Sequence, residues 1–294
     1  MKSTKCILCL ITAIILSISS FVLLNNSNTE SKTDFSLLSS GDLQTIAILD
    51  TGLNESLYEE NKDRITKVIN VTDDSENVTD ELGHGTALAS LLLGSRMMNL
   101  KGLLPDVRVV LIKITDRNGK CTFENLLKGL EEAEKSNASV INISLGSDIS
   151  NDAVTKKISD LYKKNITIVA ASGDYGDKDI LFPANLSNVV SVASLDNRFN
   201  LSKFSNYNEQ ITCLFPGENM DLVSMDNGAL EKTTRLTGTS YATVYASAYV
   251  AAIRDYCLKH NMVIPNDLIF SLLRKNDPLR KKRIITKSND IFER

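Results

Sequence analysis

The order of predicted strands and helices indicates an α/β protein with three layers, in which helices cover both faces of a mainly parallel sheet. From residue 44 onward, short runs rich in Val and Ile alternate with longer segments whose apolar residues recur at helical spacing. Several short runs are almost continuously apolar, as is typical of parallel strands buried on both faces. This alternation is the pattern of a doubly wound α/β domain. The predicted strands are 45–49, 67–71, 107–114, 139–144, 166–170 and 189–193, and the predicted helices between them are 85–93, 123–135 and 152–164.

The first 24 residues are predicted to be a signal peptide or a membrane anchor. Lys2 and Lys5 precede residues 6–24, a run of 19 residues without a charged side chain. Positive charge before such an apolar run indicates export, with the following domain outside the cell, either secreted or tethered to the membrane through residues 6–24. Residues 25–43 are predicted to be a polar linker, and residues 44–294 a single domain.

Composition excludes several classes of function. The formal net charge of −3 gives no basis for a nucleic-acid partner. Two of the five cysteines lie in the N-terminal apolar run, and the other three, Cys121, Cys213 and Cys257, lack the spacing of a metal site. We therefore expect neither a disulfide framework nor a zinc site.

An acid, a histidine and a serine stand at positions that an α/β fold can bring together. Asp50 ends the first predicted strand, His84 opens a helix of small apolar residues, and Ser240 follows a turn and opens a longer one. A serine nucleophile needs a base to take its proton, and that base needs a carboxylate to fix its tautomer. Active sites of such folds collect at the carboxyl ends of the strands, so we expect convergence there. Each residue alone also has an ordinary explanation, as an Asx turn, a loop histidine or a helix N-cap.

Three segments, in chain order, resemble the motifs of the subtilisin family of serine peptidases. They read Asp-Thr-Gly at 50–52, Gly-His-Gly-Thr at 83–86 and Gly-Thr-Ser at 238–240. The resemblance extends from about residue 44 to the last helices. It implies a subtilisin-like peptidase domain over residues 44–294, a polypeptide substrate and a monomeric enzyme.

The resemblance assigns a role to each of the three residues. Ser240 would attack the peptide carbonyl and form an acyl-enzyme, and His84 would move the proton from the hydroxyl to the leaving amine. Asp50 would orient the imidazole and stabilise its charged form.

The resemblance also implies two segments that hold an extended peptide between them by β-augmentation. Leu145 and Gly146, with Ala171 and Gly173, would line the primary specificity pocket, and acids at 177 and 179 leave a basic residue before the scissile bond as one alternative. Phe123 and Leu126 would line a more distant apolar pocket, or else serve only helix packing. The implied substrate-binding residues are Gly119, Cys121, Phe123, Leu126, Ser144, Leu145, Gly146, Ala171 and Gly173.

The chain departs from the family pattern at the oxyanion position. Asp174 stands where the family usually has an Asn whose amide donates to the oxyanion. An ionised carboxylate only accepts hydrogen bonds and repels the developing negative charge. Asp174 could donate only as a neutral carboxylic acid, a form that burial would favour. Val244 and Tyr245 also replace a common Pro and a frequent His, which puts the geometry around Ser240 in question.

Two further departures concern folding and metal binding. About twenty residues separate Leu24 from the first strand, too few for the folding-assistant prodomain of many exported relatives. Residues 94–101, which follow the His84 helix, contain no carboxylate, whereas calcium requires several oxygen ligands. We therefore expect no tight calcium site and no cofactor.

These features together predict a narrow-specificity processing protease that matures a secreted peptide or a leader-bearing precursor. The alternative is a catalytically weak member of the same fold that binds a partner or regulates another protease, which Asp174 and Val244 favour. An esterase that uses the same three residues is a third interpretation.

Overall fold

The computed structural model describes residues 38–73, 75–226 and 228–275. The predicted N-terminal apolar segment and most of the predicted linker lie outside these residues. The helices are α1 (Glu55–Asn61), α2 (His84–Leu93), α3 (Phe123–Lys135), α4 (Asp152–Lys163), α5 (Thr239–Lys259) and α6 (Asn266–Lys275). The strands are β1 (Thr45–Asp50), β2 (Ile65–Asn70), β3 (Gly94–Ser95), β4 (Leu100–Lys101), β5 (Arg108–Lys113), β6 (Val140–Ile143), β7 (Thr167–Ala171), β8 (Val190–Leu195), β9 (Cys213–Pro216), β10 (Met220–Asp226) and β11 (Ala229–Leu236).

The central sheet has seven strands in the order β2-β5-β1-β6-β7-β8-β9. Every neighbouring pair in it is parallel. Two small antiparallel pairs, β3–β4 and β10–β11, lie apart from it. Because β1 is central and pairs with β5 and β6, its carboxyl end is surrounded by the ends of other strands.

Helices cover both faces of the sheet. Residues 46 and 48 of β1 pack in one hydrophobic cluster with α1, α2, α5 and α6, whereas residues 47 and 49 pack in a second cluster with α3 and α4. This alternation is the period of two expected for a strand covered on both sides. The predicted three-layer α/β/α class with a mainly parallel sheet is confirmed.

The N-terminal part of the described chain is bound to α5. Asp255 is fully buried and accepts hydrogen bonds from Ser39 Oγ at 2.6 Å, Gly41 N at 3.0 Å and Leu43 N at 2.9 Å. Residues 38–43, which fall within the predicted linker, therefore pack against the domain at the amino end of β1.

A search for membrane-spanning helices among the described residues finds none with the length and apolar character to cross a bilayer.

Candidate active site

The carboxyl end of β1 carries a buried acid that contacts the first residue of α2. His84 Nδ1 lies 2.6 Å from Asp50 Oδ1, and because a carboxylate accepts, Nδ1 carries the proton. The backbone N–H of Thr51 donates to the same oxygen at 2.9 Å. Asp50 is fully buried, and its second oxygen makes no hydrogen bond to any described residue. The pair therefore leaves His84 Nε2 as the proton acceptor, which is the tautomer that a serine nucleophile needs.

The pKa of His84 is raised above its ordinary value. Burial of the ring opposes the charged form, but the charge and hydrogen bond of Asp50 outweigh it, and the carboxylates of Asp80 and Asp174 act in the same direction. The imidazolium that forms when His84 takes a proton is consequently stabilised by three nearby negative charges.

A second buried carboxylate, Asp80, fixes the loop that precedes His84. It is fully buried and links the end of β1 to the first turn of α2. Gly83, at a φ of 77°, is the N-cap of α2 but has no side chain that could cap the helix. The carboxylate of Asp80 caps the helix instead. Its five hydrogen bonds come from Thr51 Oγ1 (2.7 Å), Leu82 N (3.2 Å), Gly83 N (2.8 Å), Thr86 N (2.8 Å) and Thr86 Oγ1 (2.7 Å).

Lys113 ends β5 beside Asp50 and braces the same loop. Its ammonium group donates to Thr51 O at 2.9 Å, to Thr79 O at 2.5 Å and to Glu81 Oε2 at 2.5 Å. Its side chain is 5% exposed, so the loop that carries His84 is bound to the sheet by a buried charge. Neither Asp80 nor Lys113 was singled out from the sequence, although Asp80 lies only four residues before His84.

Ser240 lies in the first turn of α5, one residue later than the helix start at Thr239. Gly238 is the N-cap, so the interpretation of Ser240 as an N-cap is wrong. The hydroxyl donates to Ser144 O at 3.1 Å, and Ser144 Oγ donates back to Ser240 O at 3.2 Å. Among the described residues no hydrogen bond joins Ser240 to His84. The hydroxyl would therefore have to rotate away from Ser144 before it could donate to His84.

Asp174 follows β7 and contacts the same helix start. Its Oδ1 accepts a hydrogen bond from Thr239 N at 2.8 Å, and its other oxygen would lie 3.1 Å from a Cβ placed on Gly238. The residue is exposed, so the burial that a donor carboxylic acid would require is absent at Asp174. Asp174 thus acts as an acceptor that caps α5.

Tyr241 is a further aromatic residue of the site that sequence reasoning missed. Its ring centroid lies 6.1 Å from that of His84, and its Cε2 would lie 3.7 Å from a Cβ on Gly238. Burial, with smaller effects from Asp50 and Asp174, raises the pKa of Tyr241 to about 12. The ring therefore lies between the histidine and the Asp174 loop.

Comparison with known proteins shows the family of this chain. A model of the subtilase family matches residues 41–268, most of the chain. The chain belongs to the subtilase family. It is 30% identical over 222 residues to the Major intracellular serine protease of Bacillus subtilis (strain 168), covering 72% of this chain and 68% of that relative.

Other subtilases are longer than the part they share with this chain. The Thermophilic serine proteinase of Bacillus sp. (strain AK1) is 28% identical over 230 residues, which cover 78% of this chain but 56% of the relative. The chain therefore spans a little over half the length of that protein. Among solved structures, the prenylagaramide maturation protease PagA matches with a TM-score of 0.67 and 23% identity over 81% of this chain and 84% of its own. This likeness supports the subtilisin-like fold.

The residues predicted from the subtilase resemblance to bind substrate fall into two groups. Ser144, Leu145 and Gly146 follow β6, Ala171 ends β7 and Gly173 follows it, so both segments lie at the same sheet edge as Ser240.

The second group lies on α3 and on the segment that precedes it. Cys121 pairs with Thr115 in an antiparallel bridge, and a Cβ on Gly119 would lie 3.0 Å from Leu82, in the loop before His84. Burial, with a contribution from Asp50, raises the pKa of the Cys121 thiol to about 12, so it is not an activated thiol. Leu126 is a buried residue of α3, and Phe123, the first residue of that helix, packs edge-to-face on Phe182.

Proposed function

We propose that this subtilase is a serine endopeptidase whose catalytic residues are Asp50, His84 and Ser240. The observation that supports it is the 2.6 Å contact between Asp50 Oδ1 and His84 Nδ1, which directs Nε2 away from the acid. Ser240 lies at the start of α5, and the residue after it, Tyr241, lies beside the imidazole ring of His84. The three residues occur in the same order as the family motifs.

In the proposed reaction, the Ser240 hydroxyl turns from Ser144 O to His84 Nε2 and attacks the peptide carbonyl as the proton moves to the ring. Asp50 Oδ1 holds Nδ1–H and stabilises the imidazolium. The tetrahedral intermediate then collapses: the carbon–nitrogen bond breaks, and His84 gives its proton to the leaving amine. Water, activated by the same imidazole, hydrolyses the acyl-enzyme.

The oxyanion would be stabilised mainly by backbone. Ser240 lies in the first turn of α5, where N–H groups lack intrahelical partners and the helix dipole favours negative charge. Asp174 supplies no donor in this arrangement, because its carboxylate accepts from Thr239. The proposed enzyme would therefore have a modest turnover number compared with subtilases that have an amide at this position.

A modest turnover number suits a narrow-specificity processing protease acting on a secreted peptide or a leader-bearing precursor, and we propose this role for a monomeric enzyme. The proposal includes export, supported by the uncharged run at 6–24 that follows Lys2 and Lys5. Related subtilases include both the Major intracellular serine protease and the Cell wall-associated protease of Bacillus subtilis (strain 168), and fractionation of cells that express this chain tests the proposed export.

A second candidate function is binding or regulation by a catalytically weak subtilase. The carboxylate at Asp174 and the hydrogen bond of Ser240 to Ser144 favour this candidate, since both oppose rapid acylation.

Labelling with a fluorophosphonate distinguishes the two candidates. The peptidase proposal expects labelling of the wild-type protein and of Ser247→Ala, and none of Ser240→Ala. Ser247 is a matched control because it is a buried serine of the same helix that donates to Asn142 at 2.9 Å. A folded wild-type protein that resists the probe and cleaves no peptide would support the binding function instead.

A further inference from the structure

A leucine side chain occupies the space between the two segments that flank the start of α5. The first segment, Leu145–Gly146, follows β6, and the second, Ala171–Gly173, ends the neighbouring strand β7. A Cβ on Gly146 would lie 2.8 Å from Leu181 Cδ1, and a Cβ on Gly173 would lie 2.9 Å from the same atom. Distances this short leave no room for a side chain at either glycine. Leu181 therefore fills the space that the two glycines leave open.

The backbone around Leu181 is hydrogen-bonded to both segments. Leu181 N donates to Ser172 O at 3.0 Å, on the β7 side. Phe182 exchanges two hydrogen bonds with Ser147 on the β6 side, at 2.7 and 2.9 Å. Phe182 is 1% exposed and packs on Phe123, which anchors the connection in the core. Residues 181 and 182 thus join the two segments and hold the leucine between them.

The space between these segments opens at the candidate nucleophile. Ser144, just before the first segment, accepts from Ser240 Oγ at 3.1 Å, and Asp174, just after the second, accepts from Thr239 N at 2.8 Å. A peptide whose carbonyl carbon meets Ser240 Oγ must direct the side chain before the scissile bond into one of the openings beside this helix start. The gap between the two segments is the opening bounded on both sides by contacts to residues 239 and 240.

We propose that Leu181 closes the bottom of this gap and restricts the residue before the scissile bond to Gly, Ala or Ser. This inference rests on the proposed peptidase function and names the substrate class of the same site. The exposed acids Asp177 and Asp179 do not provide a basic specificity, because a cation in the gap would be desolvated against the leucine side chain. A large aromatic side chain would overlap the leucine.

The test compares peptides that differ only in the residue before the cut, with Ala, Phe or Lys at that position. The wild-type protein is expected to favour the Ala peptide over the other two by at least about 100-fold in kcat/KM, since even one methylene changes such ratios by about 10–200-fold. Leu181→Ala is expected to raise kcat/KM for the Phe peptide by about 10–100-fold and to reduce the preference for the Ala peptide over the Phe peptide by at least that factor. Leu186→Ala is the matched control, because Leu186, like Leu181, is a half-buried leucine, and it packs on the hydrophobic cluster that contains Phe182.

Fluorophosphonate labelling, measured in the same samples, separates the two ways in which this inference can fail. A labelled wild-type protein that cleaves the Phe or Lys peptide as fast as the Ala peptide overturns the role of Leu181 and leaves the peptidase proposal standing. A wild-type protein that is neither labelled nor active overturns both. If Leu181→Ala does not fold, the wild-type ratio of Ala to Phe cleavage still decides the question.

Discussion

The carboxylate of Asp174 accepts a hydrogen bond from the backbone N–H of Thr239, the residue before the candidate nucleophile, at 2.8 Å. The side chain at the predicted oxyanion position is therefore attached, as an acceptor, to the helix start that carries Ser240. An amide at this position could keep that contact through its oxygen and direct its NH₂ group into the site. With Asp at position 174, this chain has no amide donor there and has instead a charged carboxylate that caps the start of α5.

Asp174→Asn is expected to raise kcat by about 10-fold or more with little change in KM. In subtilisin, loss of the corresponding amide donor lowers kcat by about 10²–10³-fold, which sets the upper limit for the gain. The asparagine would add a donor to the oxyanion and remove a negative charge that repels it. Steady-state hydrolysis of a peptide amide at saturating substrate measures the change.

Asp174→Ala separates the donor from the loss of charge. It removes the repulsion and the cap without adding a donor, so we expect a smaller gain in kcat than for the asparagine variant and a lower melting temperature. An asparagine variant with unchanged or reduced kcat would show that Asp174 is not a handicap at the oxyanion.

Much of the sheet could be predicted from sequence because its strands are continuous runs of Val and Ile. The sequence did not predict α1, which has seven residues and is capped by Asn54, whose Oδ1 accepts from Ser56 N at 2.9 Å. It also did not predict β9 or the β10–β11 hairpin, whose strands are short or carry alternating polar residues on an open edge. Such local signals are weak without knowledge of what each segment packs against.

The contact of Asp50 with His84 was expected, because a strand end and a helix start meet at one sheet edge. The residues that hold Asp50 and His84 in place were not expected from the sequence. Asp80 and Lys113 both contact Thr51, which lies 29 and 62 residues away in the chain, and nothing in their immediate sequence separates a buried carboxylate or ammonium from a solvated one. Leu181 is half-buried, and its contacts with Gly146 and Gly173 join it to segments distant in the chain. Only the tertiary structure shows which of many similar residues is buried beside the site.

Asp80→Asn is expected to move the acid limb of the kcat/KM profile to lower pH. The pKa of His84 is raised, and Asp80 is one of the carboxylates that raise it. The neutral imidazole is the active form, so activity falls as pH drops through this pKa. Removing the Asp80 charge favours the neutral imidazole and lowers the pKa, and activity then persists to lower pH. The plateau should also fall, because two of the five hydrogen bonds to Asp80 come from Thr86 in the first turn of α2.

Asp160→Asn is the control for this profile, since Asp160 is a surface acid of α4 paired with Lys156. It should leave the acid limb in place. An Asp80→Asn enzyme whose plateau falls while its acid limb stays fixed would assign Asp80 a structural role alone.

The loop after α2 is held by a protein carboxylate, and we expect the unfolding temperature to be insensitive to EDTA. Glu60 accepts hydrogen bonds from Arg96 N and, at 3.0 Å, from Met97 N, and its other oxygen accepts from Ser95 Oγ at 2.9 Å. Both carboxylate oxygens are thus engaged by the loop itself. Glu60→Gln is expected to lower the melting temperature by roughly 3–6 °C, as the loss of one or two such hydrogen bonds implies.

Glu59→Gln provides the comparison, because this neighbouring side chain is 56% exposed and pairs with Lys62 at the surface. It should change the melting temperature by less than about 1 °C. A wild-type melting temperature that drops on addition of EDTA would show that a bound metal ion, and not Glu60 alone, stabilises the protein.

Lys113→Met tests whether the buried ammonium group positions His84 or only adds stability. The variant keeps the apolar stem of the side chain but loses the hydrogen bonds to Thr51 O and Thr79 O, and the pairing with Glu81. We expect a loss of roughly 2–4 kcal/mol in the free energy of unfolding, because two carbonyls lose their donor and a charged pair is broken. Since Thr51 also contacts Asp80 and the N–H of Gly85, a shift of Thr51 should reach His84 and lower kcat while KM is unchanged.

Lys156→Met, at a residue 79% exposed on α4, is the control and should alter neither the free energy of unfolding nor kcat. Urea unfolding and steady-state kinetics on both variants give the answer: a Lys113→Met enzyme with lower stability but wild-type kcat would place the lysine in the scaffold and not in the positioning of the base.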